Sequence, residues 1–183
     1  MVIAGSVRPQ RICLQIAEWV ARIGRETAGG AFEVIDLKTQ RLPMDDEPDI
    51  PAIGRYKHAH TRAWSKQVAA ADAFVFVAPQ YNWGYPAALK NALDHLYTEW
   101  AGKPALIVSY GNHGGGRCAE QLFQVLQGLH MKALATQPQL TLPRAMIEAN
   151  TGKIDPAVDF AAHLPDLKQA FTELAAALAA PTA

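Results

Sequence analysis

Ala73-Phe-Val-Phe-Val-Ala78 is an unbroken apolar run, closed by Pro79 and followed by Gln80-Tyr-Asn-Trp-Gly-Tyr85 and Pro86. A run with no polar alternation reads as a strand covered on both faces. That is the mark of a parallel sheet with helices on either side. The aromatic turn after it carries two amides and a glycine. Pro86 suits the opening of a helix.

The pattern repeats outward from this strand. Before it, a helix from about His60 to Ala71 buries Ala63, Trp64 and Val68. After it, Ala88, Leu89, Ala92, Leu93 and Leu96 form a helical stripe. Lys103-Pro104 then leads into a strand from Ala105 to Ser109. Past a glycine-rich turn, a further helix turns Leu122, Phe123, Leu126 and Leu129 inward. Lys132 to Thr136, continued by Gln139 to Leu142, reads as the last strand. Leu167, Phe171, Leu174 and Leu178 mark a closing helix.

At the other end, Val2 to Ala4 is a short buried strand. Ile12, Ile16, Trp19, Val20 and Ile23 follow at helical spacing until Gly29-Gly30. Phe32, Val34 and Ile35 give the second strand, ending at Asp36-Leu37. Residues 38–58 read as one irregular loop with Pro43, Pro48, Pro51 and the acidic Asp45, Asp46 and Glu47. A loop that long serves function or covers a neighbour. Residues 143–164 have no clear pattern. Five strands alternating with five helices predict a single α/β domain over 1–183. Its five-stranded parallel sheet has the doubly wound order 2-1-3-4-5, with helices on both faces.

Half of the residues are apolar and 19% are charged, with 17 basic and 17 acidic side chains. Zero formal net charge gives no electrostatic footprint for a nucleic-acid partner. It also lacks the acidic excess of a carrier that docks on basic redox proteins. No stretch has the ~20 apolar residues of a membrane helix. The first residues lack the apolar core of a secretion signal, so a cytoplasmic location is expected. Cys13 and Cys118 fall in helices as small buried residues. Neither is followed by the arginine that a phosphate-loop cysteine nucleophile needs. His58 and His60 stand two apart without an evident third ligand, so no metal site is expected. His95 reads as helix surface or an interface residue.

In a 2-1-3-4-5 sheet, ligands sit beyond the carboxyl ends of the strands, where the winding reverses. The turns after strands 1, 3 and 4 should share that crevice, and these are the chemically unusual turns of the chain. The first, Gly5-Ser-Val-Arg-Pro-Gln-Arg11, opens a helix whose free N–H groups face an anion, with Ser6, Arg8 and Arg11 as further donors. The second spans Pro79, Gln80, Tyr81, Asn82 and Trp83, and offers apolar walls and amides to a flat heteroaromatic ring. The third, Ser109-Tyr-Gly-Asn-His-Gly-Gly-Gly-Arg117, brings backbone N–H groups close to a ligand. His113 has no visible partner there.

Gly5-Ser-Val-Arg8, Pro79-Gln-Tyr-Asn82, Ser109-Tyr-Gly111 with Gly114-Gly-Gly116, and Trp83-Gly-Tyr-Pro-Ala-Ala-Leu-Lys-Asn-Ala-Leu-Asp94 together resemble the NADPH-dependent FMN reductase family. The resemblance runs from residue 1 to about 136. It implies a flavodoxin-like fold, noncovalent FMN and NADPH or NADH as co-substrate. Hydride would pass through the flavin to a small-molecule acceptor such as a quinone, azo dye, metal ion or free flavin. It implies that Ser6, Arg8 and Arg11 hold the phosphate, that Pro79 to Asn82 with Trp83 line the ring, and that Ser109, Tyr110, Gly111 and Gly114 border its far side. It also implies a homodimer or homotetramer. No side chain is expected to act as catalytic acid, base or nucleophile. Three positions depart from the common pattern. Gln80 stands where Glu is commoner, which shifts the expected contacts there to the backbone. Gln10 and Asn112 stand where many members have glycine. The alternative on the same scaffold is a flavodoxin-type electron carrier or a flavin-binding module without reductase activity.

Overall fold

The computed structural model describes residues 1–180. Strand β1 (Val2–Ala4) pairs on one side with β2 (Val34–Asp36) and on the other with β3 (Phe74–Pro79). Strand β4 (Pro104–Gly111) lies beyond β3 and β5 (Lys132–Ala133) beyond β4, all parallel. The order is 2-1-3-4-5, as expected. The expected last strand is divided. After β5 the chain leaves the sheet and returns as β6 (Gln139–Thr141), which pairs with the far end of β4, Ser109 to Gly111. Pro138 has no N–H to give a ladder, so the strand resumes only beyond it.

Strand residues alternate between two cores. Val2, Ala4, Val75, Val77, Leu106 and Val108 face α1 (Cys13–Ala28) and a C-terminal helix that carries Phe171 and Leu174. Ile3, Phe74, Phe76 and Ile107 face the helices that contribute Trp64, Leu89, Leu93 and Leu122. Every residue of β3 is buried, which explains its lack of alternation. The indole N–H groups of two buried tryptophans reach carbonyls, Trp64 to Ala92 at 2.8 Å and Trp100 to Leu93 at 3.2 Å.

Residues 37–58 are less irregular than expected. They hold a one-turn α2 (Leu37–Gln40), capped by Asp36, and a 3-10 turn at Pro51–Ile53. The segment is tied down by side chains. Asn91 donates to the Pro43 carbonyl at 2.8 Å and accepts from the Asp45 N–H at 3.2 Å. Glu47 accepts from the N–H groups of Lys57 and His58 at 2.7 and 2.9 Å. Helix α3 (Ala59–Ala69) buries Thr61, Trp64 and Val68, with Ala63 exposed. Thr61 rather than Ala63 completes the i, i+3, i+7 stripe. Helix α4 (Ala87–Asp94) follows Pro86 and stops before Leu96. His95 caps it and is fully buried, not at the surface as expected, because the 41–58 segment covers that end of the helix.

Helix α5 (Gly116–Gly128) follows the glycine turn. The unassigned stretch 143–164 forms α6 (Arg144–Ala149), α7 (Pro156–Asp159) and a 3-10 turn at Ala161–His163, then α8 (Leu164–Ala179). No helix among the described residues is long and apolar enough to cross a membrane.

Candidate functional site

The three turns meet at the carboxyl edge of β1, β3 and β4. Beyond β1, Ser6 is fully buried, and its hydroxyl lies 2.7 Å from the Tyr81 hydroxyl. That single bond joins the first turn to the second across 75 positions of sequence. The Arg8 N–H also points at the Ser6 oxygen, at 3.4 Å. The Arg8 guanidinium lies over the Tyr81 ring, 3.8 Å from its centroid. Among the described residues it has no carboxylate partner, so its charge is available to an anion. Arg11 differs. Its guanidinium pairs with Asp36 at the end of β2 and donates to the Arg8 carbonyl at 3.3 Å, so it braces the turn. Helix α1 starts after Ile12 with no side-chain cap, which leaves its first N–H groups unpaired at the same edge.

Beyond β3, Pro79 is the last residue of the strand and does not break it. The Gln80 N–H continues the ladder to the Tyr110 carbonyl at 2.9 Å. Tyr81 and Gly84 exchange backbone bonds at 2.8 and 3.0 Å around Asn82 and Trp83. Both central residues have positive φ, 48° and 73°, the geometry of a primed hairpin turn. Tyr81 therefore points back to Ser6 while Asn82 and Trp83 sit at the tip. Trp83 is 64% exposed, with the Arg117 guanidinium 5.1 Å from its ring. It lines a shallow hollow with His113, apart from the crevice that Tyr81 faces.

Beyond β4, the buried Ser109 hydroxyl donates to the Gly114 carbonyl at 2.9 Å. Gly114 and Gly115 have φ of 75° and 82°. A Cβ on Gly114 would fall 2.8 Å from the Gln139 Cβ, and one on Gly115 would fall 3.0 Å from Ser109 and the Tyr110 nitrogen. These glycines let the turn pack on β4 and β6; Gly111 and Asn112 are the residues that reach the crevice.

That crevice holds about 340 Å³, within the range of small-molecule sites. Arg8, Arg11, Pro79, Gln80, Tyr81, Tyr110 and Gly111 line one side. The other side was not legible in the sequence. It comes from Leu142, Met146, Ile147 and the turn Asn150-Thr-Gly-Lys153. Asn150 ends α6 in the left-handed conformation, φ 42°, and donates to the Gln10 side chain at 3.1 Å. Gln15 of α1 holds the same turn, donating to the Gly152 carbonyl at 2.8 Å and accepting from the Ile154 N–H at 3.1 Å. The one available signal was Asn150-Thr-Gly152, a pair of helix-ending residues after an apolar patch.

Burial pushes the Cys13 thiol up, and Cys13 donates to the Val77 carbonyl at 3.3 Å. Burial also raises the Tyr110 phenol well above its ordinary value. Burial, then the neighbouring Cys13, pushes the Cys118 thiol up to about 12. None of these groups ionises near neutrality. What the arrangement offers is an anion subsite at Arg8 and the start of α1, beside a slot with the Tyr81 ring on one side and an apolar wall on the other.

The family model described as NADPH-dependent FMN reductase matches residues 1–144. The chain is 54% identical over 175 residues to an NAD(P)H-dependent FMN reductase of Schizosaccharomyces pombe, covering 94% of this chain and 86% of the relative. It is 49% identical over 144 residues to an NAD(P)H-dependent FMN reductase of Saccharomyces cerevisiae, covering 73% and 75%. Its fold is similar to that of the flavoenzyme NAD(P)H:(acceptor) oxidoreductase FerB from Paracoccus denitrificans. That match has a TM-score of 0.68 and 20% identity over 96% of this chain and 95% of that one.

Proposed function

Because the chain belongs to the NADPH-dependent FMN reductase family, we propose that it binds FMN in the crevice and reduces a small planar acceptor, a quinone foremost, at the expense of NADPH or NADH. The observation that carries this reading is the meeting of Arg8, Tyr81 and Gly111, from three separate turns, around one cavity. Bound there, FMN supplies a ring that takes hydride from the nicotinamide and passes reducing equivalents to the acceptor.

Arg8 and the uncapped first turn of α1 hold the phosphate. Ser6 acts through Tyr81, whose hydroxyl it fixes. Pro79, Gln80, Tyr81, Tyr110 and Gly111 border the ring. Arg11, Asn82, Trp83, Ser109 and Gly114 shape the turns that carry these contacts, Arg11 by its pairing with Asp36. Leu142, Met146 and Ile147 give an apolar wall against which a quinone stacks. The proton that completes quinone reduction enters from solvent, and no side chain is assigned as acid or base. A homodimer or homotetramer is part of the same reading, supported by the exposed Met44, Ile50 and Trp83.

The test is a visible spectrum. The purified chain, supplied with FMN, should show a flavin band that bleaches on anaerobic addition of NADPH and returns on addition of a benzoquinone. A chain that stays colourless with FMN overturns the reading. Arg8→Ala should weaken FMN binding about ten- to hundredfold, the worth of a charged hydrogen bond of about 1.5–3 kcal/mol.

A further inference from the structure

Away from the crevice, three elements converge on one point. Asp46 comes from the 41–58 segment, His60 from the first turn of α3, and His95 from the residue that closes α4. Each offers one ligating atom, and these atoms lie within 4.8 Å of one another. None of the three lines the crevice.

His95 is fully buried. Its Nδ1 lies 2.7 Å from the Asn91 carbonyl. A carbonyl only accepts, so the proton resides on Nδ1. In the neutral ring Nε2 is then a buried lone pair, and among the described residues it has no partner. This is the tautomer and orientation of a metal-bound histidine, which donates its second nitrogen to a carbonyl. His60 Nε2 lies 2.9 Å from the Asp46 carboxylate. The His58 ring stacks on His60 with centroids 5.3 Å apart, and its Nε2 lies 3.0 Å from the Asp46 carbonyl. His58 thus steadies two of the three groups. An ordinary hydrogen bond accounts for Asp46 and His60, but it leaves the His95 nitrogen unexplained, and buried polar atoms rarely go unpaired.

We propose that Asp46, His60 and His95 bind a divalent first-row transition ion, zinc by preference, with solvent completing its coordination. Two imidazoles and one carboxylate suit zinc. Calcium and magnesium want oxygen ligands throughout, and copper(I) wants thiolates. The ion clips the long segment to α3 and α4, and so stabilises the folded chain by mass action.

The experiment uses the flavin-loaded chain without an affinity tag, stripped with a chelator and dialysed against zinc. Bound metal is measured by mass spectrometry, and ligand geometry by the visible absorption of a cobalt(II) titration. We expect about one ion per chain. Asp46→Asn and His60→Gln should each weaken binding by about tenfold or more. His130→Gln, remote from the cluster, should leave it unchanged. Both ligand variants alter partly exposed positions, so the test does not depend on the buried His95. A wild-type chain that takes up no zinc overturns the proposal, as does an Asp46→Asn/His60→Gln double variant that takes up as much as wild type.

Discussion

Gln80 links two elements through one residue. Its N–H extends the β3–β4 ladder, while its side-chain oxygen accepts from the N–H groups of Arg117 and Cys118 at 3.1 and 3.2 Å. Helix α5 has Gly115 at its cap position and no side chain of its own to do this. The resemblance put the weight at Gln80 on the backbone rather than the side chain; the side chain caps a helix that starts 36 positions later in the chain. Gln80→Ala should cost about 1 kcal/mol, read as a lower urea midpoint. Gln80→Glu keeps both acceptor contacts and puts a negative charge at a helix N-terminus, a gain of about 0.3–1 kcal/mol. Its midpoint should equal or exceed wild type. The thiols give a second check. Both cysteines are fully buried, and burial holds Cys118 near 12. A thiol reagent at pH 8 should label neither in the native chain and both in denaturant; rapid native labelling would contradict the packing. Residue types that act locally, such as Arg8 and Tyr81, were legible. His95 was not. Its burial depends on a segment some 50 positions earlier covering the end of α4, and no local pattern encodes what covers a surface.

Elements were legible in proportion to their burial and length. Strands β3 and β4 are covered on both faces and so read as plain apolar runs. Helices α6 and α7 have six and four residues, too short for a 3.6-residue period to show. Helix α6 and the turn that follows it nevertheless build one wall of the crevice. Their placement rests on Gln15, whose amide holds both Gly152 and Ile154. Gln15→Ala should therefore speed limited proteolysis within 144–154 while leaving α1 intact; an unchanged cleavage rate would assign the docking to other contacts. Within α1 itself, Gly24 sits against the edge-to-face pair Phe32–Phe171, whose ring centroids are 5.4 Å apart. An alanine Cβ there would fall 2.6 Å from Phe32 and 2.8 Å from Phe171. Helix propensity alone favours alanine by about 1 kcal/mol. Overpacking costs about 1–3 kcal/mol and wins. Gly24→Ala should therefore lower stability by up to about 2 kcal/mol, against the usual direction for a helix interior.

At the scale of the molecule, the position of the crevice follows from the strand order by one rule, that ligands gather where a doubly wound sheet reverses direction. Element order in the sequence is enough to apply it. The proposed assembly rests on a different property, the surface that the fold leaves apolar. Isolated exposed apolar residues are ordinary, but a concentration of them in one segment is not. Met44, Ile50 and Ile53 are 76%, 68% and 45% exposed, and all three stand in the segment that crosses the α3–α4 face. Trp83 is 64% exposed at a turn whose positive φ an aromatic residue seldom adopts. With zero formal net charge, no long-range repulsion keeps two copies apart near neutrality. Light scattering during size exclusion should give at least twice the mass of the chain at micromolar concentration. Ile50→Asp places a charge in that surface without touching Asp46, His60 or the crevice. It should shift the chain toward the monomer with its thermal unfolding of FMN-bound monomer still cooperative. A wild-type chain that runs as a monomer at these concentrations would leave the apolar segment without a second copy to cover it, and would count against the oligomeric reading directly.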